Sequence, residues 1–272
     1  MNPIQEFELE KQKRILSYAH NEELKQSAEH FLNVSVKNKY SYNFNWLGRP
    51  IIQYPNDIVL MQELIWKIKP DLIIETGIAH GGSLIFSASM LALIDYCEKE
   101  NKNRQVLGID IDIRKHNKTA ILNHPLSHLI TMFEGSSIDL KMAEKVKNFA
   151  QNYSTILLFL DSNHTFAHVL KELELYAPLV SENSYCVVLD TIVETLQSDS
   201  SPEPRPWHKG NSPMTAVHAF LKDHPEFEID PQPFLKTLIS VAENGFLHRK
   251  MGGGGGKTQK KKTLSHFNLC LE

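Results

Sequence analysis

The stretch from Asp71 to Met90, DLIIETGIAHGGSLIFSASM, constrains the fold more than any other part of the chain. Leu72, Ile73 and Ile74 form an unbroken apolar run, the pattern of a strand buried on both faces of a parallel sheet. Glu75, Gly77, Gly81 and Gly82 follow within eight residues. Ser83 then opens a segment in which Leu84, Ile85, Ala88, Leu91 and Ala92 recur at helical spacing. Strand, glycine-rich turn and helix are predicted in that order. Glycine serves where a backbone takes positive φ or lets a ligand close to main-chain atoms, and a helix start offers free N–H groups to an anion. The turn is therefore a candidate site for a cofactor bearing a carboxylate or a phosphate.

Spacing separates the cofactor classes. The dinucleotide fingerprint needs glycine two residues after Gly77, where this chain has Ala79, so a dehydrogenase is disfavoured. What remains, Glu75-x-Gly77-x-x-x-Gly81, resembles motif I of the class I S-adenosylmethionine-dependent methyltransferases. In that motif the acid faces the methionine amine and the turn receives the carboxylate end.

The remainder keeps a βα rhythm. Residues 3–32 read as one or two amphipathic surface helices carrying Phe7, Ile15, Ala19, Leu24, Ala28 and Phe31. Tyr40 to Pro55 is aromatic and turn-rich, too irregular for a regular element and suited to a lid or a packing arm. Asn56 or Asp57 is expected to cap a helix that ends before Pro70. Further strands are predicted at Val106–Ile111, Leu129–Phe133, Thr155–Leu160 and Tyr185–Leu189, with helices between them. Short strands at Phe227–Ile229 and Thr237–Val241, with no helix between them, are expected to form a closing antiparallel hairpin. The fold class is α/β: a Rossmann-like class I methyltransferase, doubly wound, with a mostly parallel seven-stranded sheet. Three segments are expected: an N-terminal helical extension with a lid-like segment (1–56), the methyltransferase domain (57–248) and a Gly/Lys-rich flexible tail (249–272).

Chemistry is expected at the carboxyl ends of the strands. Asp110 ends the second strand, where a carboxylate can accept both hydroxyls of a ribose; Asp112 is the weaker candidate. Gly135, Ser136 and Ser137 end the third, beside the expected adenine. The fourth ends in Asp161-Ser162-Asn163-His164 and the fifth in Asp190-Thr191. Two carboxylates with a hydroxyl or amide beside them make a hard oxygen site suited to Mg²⁺ or another divalent cation. The competing reading is that each aspartate caps the helix that follows it.

Four segments carry a more specific resemblance: Trp46-Leu47-Gly48-Arg49-Pro50 with Gln53-Tyr54-Pro55-Asn56-Asp57, Lys69 to Gly77, Leu160 to His164, and Asn244-Gly245-Phe246-Leu247. Over roughly residues 30–248 the chain resembles the cephalosporin hydroxylase family. Despite its name, that family has the class I methyltransferase fold and is similar to metal-dependent catechol-type O-methyltransferases; members act in antibiotic tailoring and on sugars such as rhamnose. The resemblance implies cofactor contacts at Glu75, Gly77, Gly81, Ser83, Asp110 and Ser137, and metal contacts at Asp161 and Asp190. His164 falls where catechol-type enzymes carry a catalytic lysine, which makes it the candidate general base, with His168 in reserve. Catechol-type sites place Asn after the second metal aspartate; here it is Thr191, so Thr191 and Glu194 are the candidates for a third ligand. The implied function is S-adenosylmethionine- and metal-dependent O-methyl transfer to a hydroxyl of a sugar or glycan precursor, with bacterial surface polysaccharide as the expected setting. Natural-product tailoring and a non-catalytic binding protein with a relict cofactor pocket are the alternatives.

Other classes are disfavoured. A net charge of −3 gives no electrostatic case for nucleic acid. No apolar run is long enough for a membrane span and no signal pattern opens the chain, so a cytoplasmic location is expected. Three cysteines without C-x-x-C spacing make disulfides or a zinc cluster poor expectations. Self-association is left open. An Fe(II) hydroxylase would need His-x-Asp/Glu with a distant His; His20 to Glu22 lies in a probable surface helix and His224 to Glu226 is broken by Pro225. In the tail, Gly256-Lys257-Thr258 imitates a phosphate loop, but Met251 stands where its first glycine belongs. The five-glycine run 252–256 is compatible with a guanine tract in the gene, a device that switches surface-glycan genes in some bacteria.

Overall fold

The computed structural model describes residues 2–99, 102–196 and 205–252. Two helices open it, α1 (Pro3–Tyr18) and α2 (Glu22–Lys37), followed by a hairpin of β1 (Phe44–Trp46) and β2 (Arg49–Ile51). After α3 (Pro55–Ile68) come β3 (Leu72–Thr76), α4 (Gly82–Glu98), β4 (Gln105–Asp110), α5 (Lys115–Leu122), β5 (Ile130–Glu134), α6 (Leu140–Ala150), β6 (Ile156–Leu160), α7 (Phe166–Tyr176) and β7 (Tyr185–Val188). The described chain ends with α8 (Pro213–Asp223), β8 (Phe227–Ile229), α9 (Gln232–Thr237) and β9 (Phe246–Arg249).

The main sheet has seven strands in the order β5-β4-β3-β6-β7-β9-β8. The first five pair in parallel, and β9 runs antiparallel to both β7 and β8. This is the doubly wound sheet with an antiparallel closure that the sequence predicts. Because side chains alternate across a strand, each strand feeds two cores. Ile73, Val106, Leu157, Phe159 and Val187 join α3, α4 and the N-terminal hairpin on one face. Leu72, Ile74, Leu107, Leu158, Cys186 and Val188 join α6, α7 and α8 on the other. That double burial is why these strands read as continuous apolar runs. The order also places β3 between β4 and β6, where successive crossovers leave in opposite directions. A crevice opens at such a switch point, above the carboxyl ends of β3 and β6.

Three sequence expectations are corrected. The Tyr40–Pro55 segment contains a 3-10 turn and the β1–β2 hairpin, and Ile51 and Tyr54 are buried in the core. Neither Asn56 nor Asp57 caps α3: the helix starts at Pro55, after Tyr54, and Asp57 lies buried in its first turn. Thr237–Val241 is not a strand. Leu238 takes φ 57, and the Val241 N–H donates to the Asp57 carboxylate at 3.1 Å while its carbonyl accepts from Ile192 N–H at 3.2 Å. The segment is used to seal a loop against α3, and β9 takes its place in the sheet. The signal for β9 was the Asn244-Gly245 pair followed by Phe246-Leu247-His248-Arg249, a turn leading into a strand. Gly245 is required there because a Cβ would meet the Val188 carbonyl oxygen at 2.1 Å. Of the expected tail, residues 253–272 lie outside the described residues.

Candidate active site

The turn after β3 is built for close approach. Gly77 has φ 89, and a Cβ on it would sit 2.1 Å from the Asp161 carbonyl oxygen; Gly81 has φ 83, and a Cβ on it would meet the Ile121 side chain at 2.4 Å. Each therefore needs glycine for both conformation and space. Three side chains hold the turn. Arg49 donates through Nε and Nη2 to the His80 carbonyl, at 3.0 and 2.6 Å, and Asn117 Nδ2 donates to the Ala79 carbonyl at 2.8 Å. Asp110 Oδ2 accepts from the N–H groups of Ile78 and Ala79, at 2.8 and 3.3 Å. Ala79 itself takes φ 46, a conformation uncommon for a residue with a Cβ, and these bonds hold it there.

Glu75, Gly77, Gly81, Ser83 and Asp110 thus converge on one crevice. Glu75 is 3 % exposed at the end of β3, and the Ser83 hydroxyl at the start of α4 donates to its Oε1. Burial pushes its carboxyl from the ordinary 4.5 up to about 8, against the pull of the Ser83 bond. Among the described residues Asp110 Oδ1 accepts only the Asp112 N–H, at 3.1 Å, which leaves it acceptor capacity for a ribose hydroxyl. Ser137, after β5, is buried; its carbonyl accepts from the Tyr176 hydroxyl, and its Oγ lies 3.1 Å from His168 Nε2.

Asp161 follows β6 and Asp190 follows β7. With His164 they form a trio whose ligand atoms lie within 4.8 Å of one another. Asp190 takes φ 54, so the chain turns sharply after β7 and presents the carboxylate to the crevice. Its Oδ2 lies 3.1 Å from His164 Nε2. Gln53 Nε2, from the segment after β2, donates to Asp161 Oδ2 at 3.1 Å. The Asp161 carboxyl is pushed well above the usual range, first by removal from water and then by Asp190, Glu75, Glu172 and Asp57. Among the described residues none of Glu75, Asp161 or Asp190 is ion-paired to a lysine or arginine. Uncompensated acids at such a site fit a cation, and hard carboxylate oxygens fit a divalent one such as Mg²⁺.

The two candidates for a third ligand are engaged by other partners. The Thr191 hydroxyl is fully buried and donates to the carbonyls of Glu243 at 2.5 Å and Val241 at 3.3 Å. Its proton is engaged there, which fastens the turn after Asp190 to the loop before β9. Glu194 Oε2 accepts from Gly210 N–H and the Ser212 hydroxyl, at 2.9 and 2.6 Å. The reserve base is engaged as well: His168 Nε2 lies 3.2 Å from Ser162 Oγ and 3.5 Å from Glu172 Oε1. Sequence reasoning missed Gln53, Arg49 and Asn117 as site residues; the first two sit within a segment read as irregular, and nothing in the spacing of Asn117 singles it out. It missed Trp207 also, whose ring meets the His164 ring edge-to-face at 4.7 Å.

Residues 38–250 match the family model described as Rhamnosyl O-methyltransferase/CmcI. The chain is 30 % identical over 207 residues to the rhamnosyl O-methyltransferase of Mycobacterium leprae (strain TN), covering 75 % of this chain and 82 % of the relative. It is 29 % identical over 201 residues to the enzyme of the same name from Mycobacterium bovis (strain BCG / Pasteur 1173P2), covering 71 % and 73 %. Among solved structures, CmcI with Mg and SAM superposes with a TM-score of 0.54 at 18 % identity, over 77 % of this chain and 78 % of that one. Apo CmcI gives 0.53 at 17 % identity, over 78 % of each. These two likenesses establish the fold. With the matched model spanning most of its length, the chain belongs to the rhamnosyl O-methyltransferase/CmcI family of S-adenosylmethionine-dependent O-methyltransferases.

Proposed function

We propose that the chain transfers the methyl group of S-adenosylmethionine to a hydroxyl of a sugar or glycan precursor, with a divalent cation held by Asp161 and Asp190. The observation that carries this reading is the convergence of Asp161, His164 and Asp190 within 4.8 Å, in the crevice that the Glu75–Ser83 turn lines. When bound, the cation would acidify the acceptor hydroxyl and the sulfonium cofactor would supply the methyl. The start of α4 and the glycine turn receive the cofactor's carboxylate, Glu75 faces its amine, Asp110 accepts from its ribose and Ser137 lies by its adenine. His164 Nε2 lies 3.1 Å from Asp190 Oδ2, so the imidazole stands beside the carboxylates that would hold the cation and is the group we assign to take the acceptor proton. Much of the acceleration then comes from holding two reactants in near-attack geometry.

The substrate class rests on the relatives' name. Rhamnosyl O-methyltransferases at this level of similarity favour a deoxyhexose unit as acceptor, and a surface polysaccharide precursor is the setting we infer. The test is incubation with S-adenosylmethionine, Mg²⁺ and a panel of hexosides and deoxyhexosides, with S-adenosylhomocysteine release and product mass as readouts. Methylation of a sugar in the panel supports the reading. Release of S-adenosylhomocysteine only with phenolic or other non-sugar acceptors would move the enzyme to natural-product tailoring.

A further inference from the structure

A small cavity of about 10 Å³, room for one water-sized group, opens beneath the crevice, lined by Gln53, Glu75, Ser83, Ser87 and Asp161 among apolar walls that include Ile51 and Phe86. Two polar atoms in it have no partner among the described residues: Gln53 Oε1, on a residue 5 % exposed, and Ser87 Oγ, on a residue 1 % exposed. Buried polar groups are nearly always satisfied, so two orphans lining one cavity point to a missing ligand. The orientation of Gln53 follows from its partner: the Asp161 carboxylate accepts, so the amide NH₂ faces it and the carbonyl oxygen faces the cavity. Beside Asp161, which the Gln53 amide holds, the cavity therefore presents the Gln53 amide oxygen, the Glu75 carboxylate and the Ser87 hydroxyl, with no lysine or arginine ion-paired to Glu75 among the described residues.

Three acceptors around a small, partly apolar space match the three donors of one primary ammonium group. We propose that Gln53 and Ser87 are binding residues for the α-ammonium of the cofactor's amino-acid end, completing with Glu75 a three-acceptor socket. Gln53 then has a second consequence. Its amide spans from the ammonium to Asp161, so the segment after β2 ties the cofactor to the carboxylate that holds the cation. A divalent ion is better served by Asp161 and Asp190, whose carboxylates gather with His164. A monovalent cation or a water is the alternative occupant. The proposal rests on the reading that this crevice takes S-adenosylmethionine.

The test is calorimetry at saturating Mg²⁺ with S-adenosylhomocysteine and with its analogue lacking the α-amino group, on wild type, Gln53→Met and Ser87→Ala. Wild type is expected to bind the amine-bearing ligand at least about tenfold more tightly. That preference should shrink by about three- to tenfold in each variant, with affinity for the deaminated analogue nearly unchanged. A defect in folding lowers both affinities together and leaves their ratio alone, so the ratio isolates the socket. Equal binding of the two ligands by wild type, or an unaltered ratio in both variants, overturns the proposal and leaves the cofactor assignment standing. Failure of wild type to bind either ligand removes the cofactor assignment and the socket with it.

Discussion

His164 Nε2 lies 3.1 Å from Asp190 Oδ2, and that single contact decides how the imidazole can be used. The contact sets the imidazole beside a carboxylate that would hold the cation, within reach of a hydroxyl brought to that cation. Mg²⁺ prefers oxygen to imidazole, so the ring suits a base better than a ligand. We therefore expect His164→Gln to keep cofactor and metal binding but to lower kcat by about 10²- to 10⁴-fold, the usual range for loss of a general base. A Mn²⁺ titration showing metal affinity lost in step with activity would reassign His164 as a ligand.

Metal dependence follows from the acids. Turnover should stop with EDTA and return with added Mg²⁺, and Asp161→Asn and Asp190→Asn should each abolish it while S-adenosylhomocysteine still binds. Removing one charge also relieves repulsion, because Asp190 is among the groups that hold the Asp161 carboxyl high. Both variants should thus fold at least as stably as wild type without metal, as read by thermal melts. Full activity in chelator would mean that the two aspartates hold no catalytic ion.

Asp110 performs two tasks in the structure. Its Oδ2 closes the glycine turn through Ile78 and Ala79, and its Oδ1 is left for the ribose. Asp110→Ala should weaken S-adenosylhomocysteine more than tenfold, since charge-assisted hydrogen bonds contribute about 1.5–3 kcal/mol. Asp110→Asn separates the tasks: a side-chain carbonyl can still accept from the turn, so binding should be intermediate. Affinity unchanged in the alanine variant would remove Asp110 from the cofactor site.

The sheet and most of the site were legible because their signals are local. The apolar run Leu72–Ile74, the glycines of the turn and the acids at four strand ends each follow from a short stretch read against one geometric rule. What was not legible depends on contacts between distant segments. Thr191 follows Asp190 in sequence, yet its hydroxyl is claimed by carbonyls some fifty residues later, and no spacing rule foretells that. Likewise Thr237–Val241 has the apolar content of a strand, but Asp57, from the start of α3, takes its backbone N–H. Gln53 reaches Asp161 across 108 positions from a segment whose composition reads as irregular.

The Thr191 contact makes its own prediction. Thr191→Val keeps the shape but leaves the Glu243 carbonyl without its side-chain donor in a buried place, a loss of about 1–3 kcal/mol. For a chain of this length that corresponds to a melting temperature lower by roughly 2–10 °C. Metal affinity measured well below the melt should change little. A large loss of metal affinity with an unaltered melt would restore Thr191 as a ligand.

The last prediction concerns pH and the cofactor-free chain. Burial raises the Glu75 carboxyl from 4.5 to about 8 and the Asp57 carboxyl from 3.8 to about 7. For a raised acid the folded state keeps a proton that the unfolded state has released, so stability declines as pH rises between the two values and levels off above the folded one. Each such group contributes a slope of at most about 1.4 kcal/mol per pH unit across its window. Glu75→Gln removes one of the two windows while its amide oxygen can still accept from Ser83. The variant and wild type should therefore melt alike near pH 4.5, and the variant should gain steadily to pH 8 and then hold a constant advantage. S-adenosylhomocysteine, whose ammonium would favour the ionised carboxylate, should narrow that advantage by stabilising wild type more than the variant. A constant difference between the two melts from pH 4.5 to 8 would show that Glu75 titrates alike in the folded and unfolded chains.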